Sequence, residues 1–240
     1  MNIALIGYGK MGRAIEEIAV RRGHTITCKI SSLNLAEFNP RVLQWADVAI
    51  EFSTPETAFS NIKQCLEMGV PVLSGTTGWT NQKPEIEAIC KANNGTFLYA
   101  SNFSIGVNIF FEINKKLAQL MDSYPTYDVA INEIHHTAKV DAPSGTAITI
   151  AKDIIELLER KKVWTISQKT DHNSRSLHIT SERIDPAPGT HAVKYSSEID
   201  DIEIIHTAHS RTGFASGAVI AAEWIAGKKG IYEMKDILGM

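Results

Sequence analysis

Residues 133–147 read EIHHTAKVDAPSGTA. His135, His136 and Lys139 crowd three potentially cationic side chains just before Ser144-Gly145-Thr146 and a helix-like run. An imidazole titrates near neutral pH and a lysine ammonium is a compact charge, so this grouping suits proton transfer beside a bound anion. Ser144 can cap the helix, the backbone N–H groups of Gly145 and Thr146 can donate to a carboxylate, and Gly145 has no side chain to obstruct it. Without the anion, like-charge repulsion favours losing a proton from a histidine or from Lys139; a dianion reverses that preference.

A second stretch, IALIGYGKMGRAI at 3–15, spaces Gly7, Gly9 and Gly12 as G-x-G-x-x-G between a strand-like run and an amphipathic helix. Gly7 permits the tight turn, Gly9 admits a pyrophosphate to the backbone, and Gly12 lets helix and strand pack closely. An acid to hold an adenosine ribose is expected about twenty residues on. That region instead reads Lys29-Ile30-Ser31-Ser32. A lysine 4 Å from a 2′-phosphate gains at most ~4 kcal/mol at an effective dielectric of ~20. The cofactor read from these residues is NADPH, with NADH admitted; a solvated Lys29 touching no nucleotide is the plainer alternative. GTTG (75–78) and ASNF (100–103) follow strand-like runs, where ligands of open parallel sheets bind. Alone, each is ordinary turn chemistry.

The elements that must hold these residues change character along the chain. Apolar runs at 2–6, 24–30, 47–53, 70–78 and 95–103 alternate with helical patterns, two of them at about 55–68 and 81–93. That alternation predicts a parallel sheet covered on both faces. A helix over 105–121 leads to a strand at 127–136 and a long helix over 144–162 with Ile148, Ala151, Ile155 and Leu158 on one face. Strand-like runs at 176–184, 191–199 and 202–210 follow without intervening helices, predicting an open mixed or antiparallel sheet. A small-residue helix and a tail close the chain. The fold class is α/β: a Rossmann-type dinucleotide-binding domain over 1–103, completed by 212–240, plus an α+β substrate-binding and oligomerisation domain over 104–211. Adjacent strand residues face opposite sides, so the strand must stop near Ile134 if His135 and His136 are to share a ligand. One surface and one structural histidine is the alternative for that pair.

Bulk properties exclude several functions. The net charge of −3 gives no basic field for nucleic acid, and three isolated cysteines make neither a disulfide framework nor a thiolate metal site. No apolar run is long enough to span a membrane, and the N-terminal run lacks a signal peptide's basic region, so the expectation is a cytoplasmic protein. His206 and His209 lack a third ligand, so no metal is expected. His178 and Arg183 read as solvated, and Arg211 as a brace at the domain crossing.

Taken together, the GxGxxG with Met11, FSTPE (52–56), GTTG, ASNFSIGVN (100–108), HHTAKVDAPSGTA and HTAHSRTGFASGAVIAAEWI resemble the 4-hydroxy-tetrahydrodipicolinate (dihydrodipicolinate) reductases over almost the whole chain. The resemblance implies reduction of a cyclic dicarboxylate by NAD(P)H in diaminopimelate and lysine synthesis, by a homotetramer built through the second sheet. It implies His135 as general acid/base, Lys139 as proton donor, and His136, Gly145 and Thr146 as substrate-binding. It assigns the cofactor to Gly7, Tyr8, Gly9, Lys10, Met11 and Gly12, to Gly75, Thr76 and Thr77, and to Ala100, Ser101, Asn102 and Phe103, with Lys29 added from the residue reading. Another dehydrogenase acting on a dicarboxylic imine, or an NADPH-sensing protein without turnover, are the competing readings.

Overall fold

The computed structural model describes residues 1–34, 38–166, 175–210 and 212–240. Arg211 lies outside the described residues. In chain order the elements are β1 (Asn2–Ile6), α1 (Lys10–Arg21), β2 (Thr25–Ile30), α2 (Pro40–Leu43), β3 (Val48–Glu51), α3 (Pro55–Glu67), β4 (Val72–Ser74), α4 (Lys83–Ala92), β5 (Thr96–Tyr99), α5 (Ile105–Met121), β6 (Asp128–His135), α6 (Gly145–Leu157), β7 (Val163–Ile166), β8 (Ser176–Arg183), β9 (Gly189–Ser196), β10 (Asp201–Ala208), α7 (Thr212–Ile225), β11 (Gly230–Tyr232) and α8 (Met234–Leu238). They fall into two compact units, Met1–Ile105 with Thr212–Met240, and Gly106–Arg211.

The first unit is a parallel six-stranded sheet in the order β11-β5-β4-β3-β1-β2. The inner strands β1, β3, β4 and β5 are largely apolar and buried because both faces are covered, whereas the edge strand β2 carries Thr25, Thr27 and Lys29. Ile3, Leu5, Val48, Ile50, Leu73 and Leu98 pack against α1 and α7 on one side. Ala4, Ile6, Ala49, Val72 and Phe97 meet α3 and α4 on the other. Strand order reverses at β1, whose neighbours are β2 and β3, and that reversal opens a crevice beyond the strand ends. The sheet edge differs from expectation. The 47–53, 70–78 and 95–103 runs pair only as far as Glu51, Ser74 and Tyr99. One more backbone bond follows each, from Phe52 N–H to Ile6, Gly75 N–H to Glu51 and Ala100 N–H to Ser74, and side-chain bonds such as Ser53 N–H to Glu51 Oε1 at 2.8 Å come next. β11 lies in the stretch read as a tail and pairs with β5.

The second unit is a mixed five-stranded sheet, β10-β9-β6-β8-β7, antiparallel across β10, β9 and β6 and parallel across β6, β8 and β7. Its apolar face, with Val129, Ile131, Leu177, Ile179, Val193 and Tyr195, packs on α5 and α6. α6 stops at Leu157, five residues before the expected end. Leu158 turns extended with its side chain fully buried, and the nearly buried Lys161 ammonium binds Asp128 Oδ1 at 2.7 Å and the Ser176 carbonyl at 2.9 Å. The ion pair lies just before β7, a strand with no counterpart among the expected ones. The buried face of α6 is Ala147, Ile150, Ala151 and Ile154, with Leu158 just beyond; Ile148 and Ile155 flank it.

Two glycines of α7 make opposite demands. A Cβ on Gly217 would lie 1.7 Å from the Phe103 carbonyl oxygen, whereas one on Gly213 would stay 3.7 Å from Ser104 Oγ. Gly217→Ala is therefore expected to cost ~1–3 kcal/mol through overpacking. Gly213→Ala should stay within ~0.5 kcal/mol of the parent chain. Thermal denaturation of the two variants checks the contrast, and equal melting temperatures would contradict the close approach.

Candidate active site

In the first unit the crevice beside β1 is a cavity of about 340 Å³ lined in part by Gly7, Tyr8, Gly9, Ser31, Ser53 and Asn61. Gly7 has φ +93°, and a Cβ there would sit 1.9 Å from the Phe52 carbonyl oxygen. Only glycine makes this turn. Nothing lies within 4 Å of a Cβ on Gly9, so a ligand can approach the backbone there, while a Cβ on Gly12 would strike the Gly7 carbonyl at 2.5 Å. Gly9 is the N-cap of α1 and supplies no side-chain acceptor, so donors of the first turn, Lys10 to Gly12, are left for an anion. These features fit the pyrophosphate of a dinucleotide.

The loops after β4 and β5 are tied from below. Glu51, fully buried at the end of β3, accepts hydrogen bonds from Ser74 Oγ at 2.6 Å, Thr76 Oγ1 at 3.0 Å, and Ser53. A Cβ on Gly75 would strike the Phe52 ring at 2.2 Å; Thr76 is buried and Thr77 exposed. Beyond β5, Ala100 and Phe103 are buried, with the Phe103 ring 5.6 Å from that of Phe52. Ser101 is exposed, and Asn102 Oδ1 accepts Ser104 N–H at 2.9 Å. Lys29 differs from expectation. Its ammonium pairs with Glu16 Oε1 at 2.5 Å and lies 5.2 Å from the centre of the Tyr8 ring, while Tyr8 OH donates to Glu16. The hydrogen bond from Lys29 holds the Glu16 carboxyl below its ordinary pKa, reinforced by Tyr8, and Glu16 raises that of Lys29. Lys29 is thus partnered by an acid of α1, a pairing invisible to a search of the second strand.

In the second unit, alternation along β6 buries Glu133 and His135 on one face. Pairing places His191 of β9 opposite Glu133, and Arg183 of β8 opposite His135. The Glu133 carboxylate, with no exposed surface, accepts Ser144 N–H at 3.0 and 3.1 Å, lies 3.4 Å from Arg183 Nη2, and is 3.6 Å from both His135 Nδ1 and His191 Nε2. Burial works to raise its pKa, but His191 and Ser144 outweigh that and hold it far below the carboxylate range. Burial depresses the His135 imidazole to about 4, helped by His191, Lys139 and Arg183 and opposed by Glu133. The direction matches the expected proton loss; the main cause is burial rather than repulsion.

β6 ends at His135, one residue later than expected, so His136 follows the last pleat. Lys139 binds Asp141 through both oxygens, at 2.7 and 2.8 Å. Ser144 caps α6 by accepting Ala147 N–H at 3.2 Å, and nothing lies within 4 Å of a Cβ on the exposed Gly145; Thr146 is half-buried. Two readings are corrected. His178 is buried at 9% exposure, within 3.3 Å of Thr165 Oγ1, and Arg183 binds Glu133 and the carbonyls of Lys139 and Asp141 rather than water alone. Glu133 and His191 went unselected, although their i, i+2 and cross-strand relations to His135 follow once the strands are paired.

The fold and these two clusters define a nicotinamide-dependent oxidoreductase. Residues 1–103 match the family described as dihydrodipicolinate reductase, N-terminus, and residues 106–238 match dihydrodipicolinate reductase, C-terminus. A protein of Christiangramia forsetii named 4-hydroxy-tetrahydrodipicolinate reductase is 49% identical over 99% of this chain and 98% of its own length. One of that name from Neisseria gonorrhoeae is 33% identical over 94% of this chain and 84% of its own length. The dipicolinate-bound dihydrodipicolinate reductase of Paenisporosarcina sp. TG-14 shares the fold, with a TM-score of 0.76 at 23% identity over 97% of each chain. The chain belongs to the dihydrodipicolinate reductase family. No helix among the described residues is long and apolar enough to cross a membrane.

A depressed imidazole has a signed consequence. Between pH 6.5 and 4 the unfolded chain binds a proton at His135 that the folded chain refuses. This stability is complete above pH 6.5 and is lost on acidification by at most about 1.4 kcal/mol per pH unit. Urea midpoints at pH 7 and pH 5 should therefore fall further for the parent chain than for His135→Asn; equal falls would place the titration elsewhere.

Proposed function

We propose that this chain catalyses reduction of (2S,4S)-4-hydroxy-2,3,4,5-tetrahydrodipicolinate, a step of diaminopimelate and lysine synthesis. Substrate, NAD(P)H and a proton become tetrahydrodipicolinate, NAD(P)⁺ and water. The bound nicotinamide supplies the hydride. The observation that carries the reading is the start of α6, where a capped helix presents an unobstructed Gly145 just after a turn bearing His136 and Lys139. A ring carboxylate is held there by the Gly145 and Thr146 N–H groups, with His136 and Lys139 adding positive charge. His135 serves as general acid/base and Lys139 as proton donor. An anion near His135 opposes the depression caused by burial, so substrate binding promotes its protonation.

The dinucleotide lies along Gly7–Gly12, with Gly75–Thr77 and Ala100–Phe103 completing its site. NADPH is the proposed preference and NADH is also accepted, since the ammonium that would favour a 2′-phosphate is already paired with Glu16. The assembly is a homotetramer through the second sheet, whose edge strand β10 leaves Ile202 and Ile205 exposed at 39% and 58%; sedimentation mass is the check.

The test is oxidation of NADPH with the condensation product of pyruvate and aspartate semialdehyde, set against oxaloacetate with ammonia. The first should be consumed and the second not; activity on neither would favour a sensor. His135→Ala and Lys139→Ala should each lower turnover by ~10²–10⁴-fold while cofactor affinity is nearly kept. Turnover near that of the parent in both would remove their assigned roles. For the cofactor, Glu16→Gln releases Lys29, so kcat/KM for NADPH relative to NADH should rise several-fold. An unchanged ratio would detach Lys29 from phosphate selection.

A further inference from the structure

Among the described residues, Glu133, His135 and His191 bring ligand-type atoms within 4.8 Å of one another, all buried. None of the steps proposed above uses Glu133 or His191. A buried ionised carboxylate costs several kcal/mol unless donors surround it, and a well-packed apolar replacement often stabilises as well, so retention of the charge calls for a role beyond stability. Its contacts indicate that role. Glu133 faces the Nδ1 edge of His135 at 3.6 Å, and that nitrogen is buried without a hydrogen-bond partner. The same carboxylate takes the Ser144 N–H, and His191 Nε2 lies 3.1 Å from Ser144 Oγ, the atom that caps α6. The rings of His135 and His191 meet edge to face with centroids 5.1 Å apart. On the far edge of His135, a Cβ at Gly189 would lie 3.1 Å from Nε2, so glycine keeps that nitrogen uncrowded.

We propose that Glu133 and His191 are positioning residues which hold the Nδ1 edge of His135 and the N-terminus of α6 in one arrangement, leaving Nε2 as the working nitrogen. This rests on the reading of His135 as the acid/base group. A carboxylate beside Nδ1 favours the tautomer with its proton there, and it stabilises the imidazolium once Nε2 is protonated. The contact of 3.6 Å shortens into a hydrogen bond as that charge develops; loose geometry of this kind is common before a ligand binds. The groups facing His135 come from every side: Glu133 of its own strand, His191 of β9, Arg183 of β8 and Lys139 of the following turn. Glu133 is the carboxylate among them, so removing its charge has a definite sign.

The test is a double-mutant cycle on the full chain with Glu133→Gln and His135→Ala, read as pH profiles of kcat/KM and as kcat and KM separately. Glu133→Gln alone should cost roughly 10²-fold in kcat/KM and move the apparent pKa of the imidazole to lower pH by about one unit. In the His135→Ala background it should cost less than about threefold more, because a brace has nothing left to hold. The same cycle run with His191→Gln leaves the Glu133 charge in place, so a chain that cannot fold without that charge still gives an answer. Effects that multiply in both backgrounds, or a folded Glu133→Gln chain with unchanged pH profile and turnover, overturn the brace. A His135→Ala chain with parental turnover instead overturns the acid/base reading, which separates the two failures.

Discussion

A carboxylate removed from water must be surrounded by donors, and this requirement organises the second unit. Glu133 meets it by drawing on four elements at once: the α6 cap through Ser144 N–H, β8 through Arg183, β9 through His191, and its own strand, on which His135 stands two residues away. Each partner is then fixed in turn. Arg183, held at Glu133, also binds the carbonyls of Lys139 and Asp141, so the turn carrying the lysine is shaped by the same charge. The energy of burying one ion is offset by contacts that fix where His135, the start of α6 and the turn carrying Lys139 lie.

The first unit repeats the device. Glu51, equally buried, ends β3 and gathers Ser74 from the end of β4 with Ser53 and Thr76 from the two loops that follow these strands. Glu51 stands where the regular ladder stops and irregular backbone begins, whereas Glu133 lies inside β6, paired on both sides, and reaches the irregular backbone before α6 through Ser144 N–H. Such backbone has polar groups that need partners. A carboxylate within reach of such backbone supplies several acceptor positions in a small volume.

The fold class and the chemistry-bearing stretches were legible because each rests on local pattern: apolar runs alternating with helices, glycines in a fixed spacing, histidines and a lysine before a helix cap. What the pattern could not convey was pairing. Lys29 reads as an unaccompanied cation until α1 is laid beside β2 and Glu16 meets it; His191 reads as one polar position in an amphipathic strand until β9 is placed against β6. Arg183 looked solvated for the same reason. Element ends failed differently. The C-terminal reach of α6 was overestimated because its apolar spacing carries no sign that Lys161 is committed to Asp128, 33 positions earlier in the chain. β11, three residues long, gave no periodicity to detect.

The two cations expected to meet ligand anions share a further property. Lys29 is held by Glu16, and Lys139 by Asp141. Neither site therefore presents a bare charge. A ligand anion must exchange with, or add to, an existing ion pair at partly exposed positions, where such pairs are worth about 1 kcal/mol or less. The exchange costs little and the lysine starts out oriented. The net attraction is then set by geometry rather than by charge alone, because a ligand gains only what it offers beyond the carboxylate already present. A planar carboxylate that also engages backbone N–H groups at Gly145 and Thr146 can exceed Asp141 in that comparison, whereas a monovalent anion reaching the ammonium alone cannot. On the proposed reading, selectivity for a particular acid would come from the helix end and the lysine acting together on one ligand, two parts that the buried Glu133 ties to each other through Ser144 and Arg183.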